Sequence, residues 1–153
     1  MGRSLGLLAA AGSLALLVGA FVFQLLGYPP CSMCIWQRWP HVVAIALGAV
    51  FWLLPSRVIA ALGALAALTT AAIGIYHTGV ERDWWEGPTS CTGSGLSGLS
   101  GADLLSTEGP RLVMCDQVSW ELFSLSMASW NALFSIVLAI LWVMSALALG
   151  RKQ

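Results

Sequence analysis

The sequence predicts an all-α integral membrane protein, a bundle of four transmembrane helices with two extracytoplasmic loops and cytoplasmic termini. Three observations predict this class. Apolar residues make up 58% of the 153 residues and charged residues only 9%, whereas an average soluble domain has about 25% charged residues. Uncharged apolar stretches recur along the chain. The acidic residues all lie in one segment, between the third and fourth of these stretches.

The charge balance excludes two other classes of protein. Basic and acidic residues number seven each, which leaves a formal net charge of zero at pH 7. Intrinsic disorder requires low hydrophobicity and high net charge, and this chain has neither. Nucleic-acid binding requires a basic excess that neutralises phosphates, so we expect no nucleic-acid partner. We expect the chain to be surrounded by membrane lipid.

The number of spans follows from the thickness of a membrane. A hydrocarbon core of about 30 Å needs roughly 20 apolar residues in a helix. We predict one domain over residues 1–153, with spans at about residues 5–26, 35–54, 58–76 and 126–149. An even number of spans places both termini on the same side of the membrane.

The first span holds 22 uncharged residues, with Gln24 as its strongly polar side chain. A secretory signal peptide has a shorter apolar region and a cleavage site, and no convincing site precedes Tyr28. We therefore interpret this stretch as a helix that is retained in the membrane.

The second span is weaker, since only residues 42–54 are continuously apolar. Extending it backward to spanning length includes four residues that oppose a buried helix: Gln37, Arg38, Pro40 and His41. We interpret it as a helix whose entry end carries polar groups at the membrane surface, with His41 in the interface. A helix start at Trp39, with Pro40 in the first turn, and a start before Cys34 both stay open.

The third span is rich in Ala, Leu and Gly, and Asn131 is the strongly polar residue of the fourth. Small residues allow close helix packing, and an asparagine within a span is more often a helix–helix hydrogen bond than a ligand. The outer segment between these spans contains a Gly- and Ser-rich stretch, residues 93–101. This composition predicts a flexible connector.

Basic residues orient the predicted bundle. Those without an acidic neighbour lie at the termini or in the short turn between spans two and three: Arg3, Arg57, Arg151 and Lys152. Basic residues favour the cytoplasmic side of a membrane. The termini are therefore predicted inside, and the long acidic segment outside.

All four cysteines lie on the predicted outer side. Cys31 and Cys34 form a C-x-x-C motif after the first span, and Cys91 and Cys115 lie in the long outer segment. An even number of cysteines in an oxidising compartment is typical of disulfides, and C-x-x-C is common in redox-active dithiols. Zinc sites share this spacing. Since a helix N-terminus or a nearby cation acidifies a thiol, we expect Cys34, four residues before Arg38, to be acidified.

The motif C-S-M-C-I-W-Q-R, which opens the second span, resembles the signature of the DsbB family of disulfide-forming quinone oxidoreductases. Two further segments are similar to the outer loop of that family. They are Y-H-T-G-V-E, with W-W and G-P, before Cys91, and C-D-Q-V-S-W followed by L-S-M-A-S-W-N from Cys115 onward. The resemblance covers nearly the whole chain. In quinone-reducing relatives of the vitamin K epoxide reductase type the C-x-x-C follows the loop cysteines, whereas here it precedes them.

The resemblance implies a quinone-dependent disulfide oxidase in the bacterial inner membrane. Its redox loops, at about residues 27–34 and 77–125, would face the periplasm. Its partner would be a periplasmic thioredoxin-fold dithiol oxidase of the DsbA type. Its cofactor would be a membrane quinone, either ubiquinone or menaquinone.

The same resemblance implies catalytic roles for the four cysteines. Cys91 and Cys115 would form the loop disulfide, and the partner would attack Cys91. Cys115 would then attack Cys31 and release Cys34, which passes the electrons to the quinone.

Two further residues receive cofactor-binding roles from the resemblance. Arg38 would hold the quinone oxygen, and His77 would lie near the quinone or handle protons. The alternative for His77 is an ordinary interfacial histidine. Glu81 is expected to be a solvated loop acid.

Three alternatives to an oxidase stay open, although we predict no metal. The first is a zinc site built from Cys31, Cys34, His77 and either Cys91 or Cys115. The second is a scaffold with two static disulfides, against which a strained C-x-x-C and a glycine-rich tether argue. The third is a reductase running in the opposite direction, since the direction is set by redox potentials.

Overall fold

The structure, a computed structural model, describes residues 2–92 and 113–151. The predicted connector, residues 93–101, lies outside the described residues. The described residues form four helices, α1 (Gly2–Leu25), α2 (Ser32–Leu53), α3 (Arg57–Glu81) and α4 (Met127–Gly150). A short antiparallel hairpin precedes α4 and consists of β1 (Glu121–Leu122) and β2 (Leu125–Ser126).

The helical class predicted from the sequence is confirmed. Three of the four helices in the described ranges, α1, α3 and α4, are long and apolar enough to cross a membrane. The helix that does not meet this criterion is α2, which carries Gln37, Arg38 and His41 in its first half. This is the span whose sequence predicted the weaker membrane helix.

The four helices pack in a ring, in which α1 and α3 each contact both α2 and α4 and lie diagonally to each other. At one end of the ring the hydroxyl of Ser145 donates to the carbonyl of Gly2 over 2.7 Å. The guanidinium of Arg57 lies against Gly150 at the same end. This end therefore gathers the described chain ends and the α2–α3 turn, and the opposite end gathers the cysteines.

Small residues allow the helices to approach closely near the chain ends. Phe51 and Trp142 are fully buried there among alanines from three helices: Ala9, Ala60, Ala64, Ala67 and Ala139. A Cβ atom on Gly63 would lie 2.5 Å from the Trp142 ring, so only glycine fits without rearrangement. The close packing predicted for small residues is confirmed at this position.

The start of α2 differs from the predicted one. Cys31 is the N-cap residue and Ser32 is the first helical residue, three positions before the predicted start at residue 35. Pro40 lies inside the helix and does not end it, although proline cannot donate a backbone hydrogen bond. Of the two starts left open by the sequence, the structure has the earlier one, which puts Cys34 in the first turn.

The end of α3 also differs from the predicted one. The helix continues to Glu81, five residues beyond the predicted end at residue 76. His77 and Glu81 therefore lie on one helix face, one turn apart, and not in the outer segment. This extension carries both side chains into the interior of the bundle.

Candidate active site

The C-x-x-C pair lies at the N-terminus of α2. Cys31 is buried, Cys34 is half-buried, and both are free thiols whose sulfur atoms are 3.1 Å apart. As the N-cap residue, Cys31 accepts a hydrogen bond at its sulfur from the backbone N–H of Cys34, over 3.2 Å. A serine or aspartate oxygen usually makes this capping contact. Here the sulfur of a redox-type motif makes it.

The second pair of cysteines forms a disulfide, Cys91–Cys115. Both are buried and belong to one apolar cluster with Cys31, Met33 and Val80. Cys34 packs against this cluster. The pairing implied by the family resemblance is confirmed, and the fold brings all four cysteines to one place.

His77 is buried beside Cys31. Its Nε2 atom lies 3.6 Å from the sulfur of Cys31, and its Nδ1 atom accepts a hydrogen bond from the side-chain amide of Gln37 over 2.9 Å. His77 therefore contacts the first cysteine of the C-x-x-C pair, and its description as an interfacial histidine is wrong because only 3% of it is exposed.

The contacts of Cys31 lower its pKa to about 4. The hydrogen bond from the Cys34 thiol is the largest cause. Hydrogen bonds from His77 and from the backbone N–H of Cys34 add to it, against the opposing effect of burial. From the sequence we expected the acidified thiol to be Cys34, and this prediction is wrong. In the structure, the hydrogen bonds that stabilise a thiolate are made to Cys31. Its sulfur, at the N-cap position of α2, faces the backbone N–H of Cys34.

Glu81 is not the solvated loop acid that its sequence position predicted. Its side chain is only 6% exposed, and one carboxylate oxygen lies 3.8 Å from Nε2 of His77. The other oxygen accepts a hydrogen bond from the hydroxyl of Ser126, the N-cap residue of α4. That prediction is wrong because α3 continues past the predicted boundary.

Arg38 is held by α1. Its guanidinium donates to the side-chain oxygen of Gln24 over 2.8 Å and to the backbone carbonyl of Ala20 over 3.4 Å. It also lies over the ring of Phe21, 4.9 Å from the centroid. These contacts fix the cation between α1 and α2, four residues after Cys34 on the same helix.

A polar cluster inside the bundle joins three helices below the cysteines. Asn131 of α4 donates to the side-chain oxygen of Gln37 over 2.8 Å and to the hydroxyl of Thr70 over 3.1 Å. The helix–helix role predicted for Asn131 is confirmed. His41 is 3% exposed and its Nε2 lies 2.9 Å from Oδ1 of Asn131, so the interfacial position predicted for it is wrong.

Gln37 was not predicted as a site residue from the sequence. A signal for it exists in the spacing of α2, whose buried residues recur every three or four positions: Met33, Gln37, His41, Ala44, Gly48 and Phe51. Two polar residues on such an apolar face must find partners inside the protein, since an unpaired buried polar group is costly.

A cavity of about 410 Å³ opens beside the C-x-x-C pair. Apolar side chains such as Leu16, Phe23 and Phe134 line much of it, and Cys34 and Arg38 contribute polar or charged atoms to its wall. Cys31, Gln37, His77, Glu81 and Asn131 also line it. An apolar cavity with a few convergent polar groups is typical of a small-molecule site.

The zinc alternative requires four ligands, and the fold supplies three of them in one place. Ligand atoms of Cys31, Cys34 and His77 lie within 4.8 Å of one another. The fourth ligand would have to be Cys91 or Cys115, and both are joined in the disulfide. The cysteine arrangement in the described chain is therefore not the four-ligand zinc site that was considered. The scaffold with two static disulfides does not match it either, because Cys31 and Cys34 are free.

This helical bundle brings a disulfide and a free dithiol together in one buried cluster. That arrangement is typical of a thiol oxidoreductase of the membrane class. Comparison with known proteins gives the family. Residues 2–145 match the family model described as "Disulfide bond formation protein DsbB", and the chain belongs to the DsbB family, whose members are disulfide-forming oxidoreductases.

Similar proteins support the assignment to this family. A protein of Xanthomonas oryzae pv. oryzae named Disulfide bond formation protein B is 34% identical, over 93% of this chain and 86% of its own length. A protein of Pseudomonas aeruginosa named Disulfide bond formation protein B 2 is 34% identical, over 90% of this chain and 86% of its own length. No solved structure matches this chain.

Proposed function

We propose that this chain is a quinone-dependent disulfide oxidase that reoxidises a periplasmic thioredoxin-fold dithiol protein of the DsbA type. The observation that carries the proposal is the meeting of both cysteine pairs in one buried cluster, beside an apolar cavity whose wall includes Cys34 and Arg38. A fixed dithiol, a disulfide in contact with it and a neighbouring cavity are the three parts that such an electron route needs.

The first half of the route is an exchange with the partner. A partner thiolate attacks the sulfur of Cys91, the Cys91–Cys115 bond breaks, and Cys115 leaves as a thiolate. Cys115 then attacks Cys31 in an oxidised Cys31–Cys34 pair, and Cys34 leaves as a thiolate. Each step exchanges one sulfur–sulfur bond for another, so no electrons are lost or gained.

The second half restores the loop disulfide. The second partner thiol displaces Cys91, which completes the disulfide of the partner. Cys91 then attacks Cys115 in the Cys31–Cys115 bond, and Cys31 leaves. Two electrons have now moved from the partner to Cys31 and Cys34. A loop disulfide beside two free C-x-x-C thiols, the bonding pattern of the structure, is the product of this sequence.

The environment of Cys31 suits its role as a leaving group. A thiol of lower pKa leaves faster in disulfide exchange, and the pKa of Cys31 is lowered to about 4, first of all by the hydrogen bond from Cys34. His77 adds a donor to the same sulfur. The release of Cys31 from Cys115 is therefore the step that these contacts favour.

The cavity fits a quinone by the chemistry of its wall. Aromatic and aliphatic residues such as Phe23 and Phe134 suit a flat apolar ring, and the guanidinium of Arg38 is a donor for a carbonyl oxygen. A quinone bound there would accept two electrons and two protons as the Cys31–Cys34 disulfide closes. The protein contributes by holding Arg38 against α1 and by keeping Cys34 at the wall of the cavity.

The proposal includes a topology in the bacterial inner membrane. The helix α2 is about 33 Å long at 1.5 Å per residue, a length that matches the hydrocarbon core, and it packs between α1 and α3. We place it as the fourth span, with its polar side chains facing the bundle interior. The end of the bundle with the described chain ends then faces the cytoplasm, and the cysteine end faces the periplasm.

A quinone-reduction assay with purified protein in detergent tests the function. The reductant is a reduced periplasmic thioredoxin-fold dithiol protein, and the loss of quinone absorbance and of partner thiols is followed together. We expect turnover by the wild type, none by Cys34→Ser, and a higher quinone requirement for Arg38→Ala. Arg57→Ala removes an arginine at the opposite end of the bundle and serves as the matched control. Wild-type protein that turns over none of several quinones contradicts the proposal.

A further inference from the structure

A chain of hydrogen bonds leads from α4 to the sulfur of Cys31. Asn131 donates from Nδ2 to Oε1 of Gln37 over 2.8 Å. Gln37 donates from Nε2 to Nδ1 of His77 over 2.9 Å. His77 presents Nε2 to the sulfur of Cys31 at 3.6 Å. The four residues lie on α4, α2 and α3 and at the N-cap of α2, and all are buried or half-buried.

The direction of each bond is determined by the other contacts of the amides. The oxygen of Asn131 pairs with Nε2 of His41, so its nitrogen faces Gln37. The oxygen of Gln37 accepts from Asn131, and its nitrogen also donates to the carbonyl of Met33 over 3.3 Å. The nitrogen of Gln37 therefore faces His77.

The tautomer of neutral His77 follows from this direction. Because Nδ1 accepts from Gln37, the ring proton lies on Nε2, which is the atom that faces Cys31. Every donor in the chain thus points toward the sulfur. Successive hydrogen bonds with the same polarity strengthen one another, and the strengthening is greatest when the final acceptor is charged.

We propose that Asn131 is a positioning residue for the thiolate of Cys31, acting through Gln37 and His77. The inference rests on the proposed function in taking Cys31–Cys34 as the redox pair. Asn131 holds the amide of Gln37 in the orientation that leaves the Nε2 proton of His77 facing the sulfur. Loss of this anchor frees Gln37 to rotate and His77 to exchange tautomers, which withdraws a donor from Cys31.

Other titratable groups around Cys31 come from two helices and from the outer segment. The helix α2 contributes Cys34, Arg38 and His41, and α3 contributes His77 and Glu81. The outer segment contributes the uncharged Cys91–Cys115 disulfide, next to Asp116. Within the described ranges α4 has no titratable side chain, so its influence on the thiolate passes through hydrogen bonds and not through charge.

The test measures the thiolate of Cys31 directly. In a full-length background with Cys34, Cys91 and Cys115 replaced by Ser, Cys31 is the sole thiol, since the chain has four cysteines. The rate of iodoacetamide alkylation is measured against pH in detergent. We expect Asn131→Leu to raise the pH midpoint, with alkylation below the midpoint slowed about three- to tenfold, the size expected for a lost buried hydrogen bond.

Thr70→Val is the matched control. Thr70 is fully buried, and its hydroxyl bonds to Asn131 and to the backbone carbonyl of Gln37. Removing that hydroxyl perturbs the same interhelical cluster but leaves the three links to Cys31 in place. We expect its alkylation profile to match that of the unmodified background. Equal shifts in Thr70→Val and Asn131→Leu, or no shift in Asn131→Leu, overturn the proposal.

A second variant and a second assay keep the inference separable from folding and from the proposed function. Asn131→Ser retains a small polar group that is too short to reach Gln37, and we expect the same shift if Asn131→Leu does not fold. A Ser variant with the profile of the background overturns the proposal. Alkylation uses neither partner nor quinone, so an unchanged profile counts against Asn131 alone, and absent quinone turnover in the four-cysteine protein counts against the function alone.

Discussion

The backbone N–H of Cys34 donates to the sulfur of Cys31 over 3.2 Å, and Cys31 is the N-cap residue of α2. The first cysteine of the motif therefore acts as a helix cap and as a redox group at the same time. A thiolate at this position is stabilised by the positive end of the helix dipole. This stabilisation depends on the charge of the sulfur, because it is lost when the sulfur carries a proton or is joined in a disulfide.

The lowered pKa of Cys31 predicts how the stability of the reduced protein changes with pH. Between its pKa of about 4 in the folded chain and 9.0 in the unfolded chain, the unfolded state binds one more proton at this site, so stability rises with pH. The contribution is complete above about pH 9 and is lost as the pH falls through about 4.

Thermal unfolding of reduced wild type and reduced Cys31→Ser between pH 4 and 9 measures this contribution. We expect the difference in Tm between them to increase in favour of the wild type as the pH rises. A difference that does not change with pH would show that the folded state does not favour the Cys31 thiolate.

Glu81→Ala is expected to destabilise the protein by about 1–3 kcal/mol, the size expected for a lost hydrogen bond to a charged group. The buried carboxylate accepts from the hydroxyl of Ser126 and lies 3.8 Å from His77. Glu81→Gln keeps an acceptor for Ser126 and is expected to lose less. Glu86, which is exposed, gives the matched control Glu86→Ala, expected to stay within about 0.5 kcal/mol of wild type. Denaturant unfolding in detergent provides the comparison, and equal losses in Glu81→Ala and Glu86→Ala would contradict the buried position.

Gly63→Ala is expected to destabilise the bundle by about 1–3 kcal/mol through overpacking. The added Cβ would lie 2.5 Å from the ring of Trp142, which is fully buried. Gly19 of α1 has no neighbouring atom within 4 Å of the equivalent position. Gly19→Ala is therefore expected to gain about 0.5–1 kcal/mol of stability from helix propensity. Unfolding temperatures of the two variants should move in opposite directions, and a shared direction argues against the close contact of α3 with Trp142.

The number of spans can be tested through the two chain ends. If α2 crosses the membrane, the N- and C-termini lie on the same side, whereas three spans would separate them. We expect reporters that are active only in the periplasm to be inactive at both termini and active when inserted at residues 93–101. A periplasmic reporter that is active at one terminus alone would show that α2 does not span.

The fold class and the approximate helix positions could be predicted from the sequence, because hydrophobicity and charge depend only on the order of residues along the chain. The boundaries at Ser32 and Glu81 could not, because they depend on caps and partners. The sulfur of Cys31 caps α2, and α3 continues past residue 76 because its last turn is buried against the cysteine cluster, where Val80 packs with Cys31. Composition contains neither fact.

The candidate site was predicted in part for the same reason. The four cysteines were identified from their spacing and from the family resemblance, and the structure joins Cys91 to Cys115 as that resemblance implies. Gln37 was missed, and Glu81 and His41 were placed in the wrong surroundings. Each of these three polar side chains lies near an apolar stretch, where sequence alone does not distinguish a surface position from a paired interior one.

The sequence by itself determined that this protein is a helical membrane-type chain with two cysteine pairs of the DsbB pattern, because apolar length, charge position and motif order are local properties. Only the tertiary structure decided which sulfur accepts hydrogen bonds from the neighbouring donors. Asn131 and Gln37, 94 positions apart, meet His77 and Cys31 only when α2, α3 and α4 pack together. A hydrogen bond requires its partners to come within about 3 Å with the correct orientation, and side chains so distant in sequence reach that geometry only in the folded bundle.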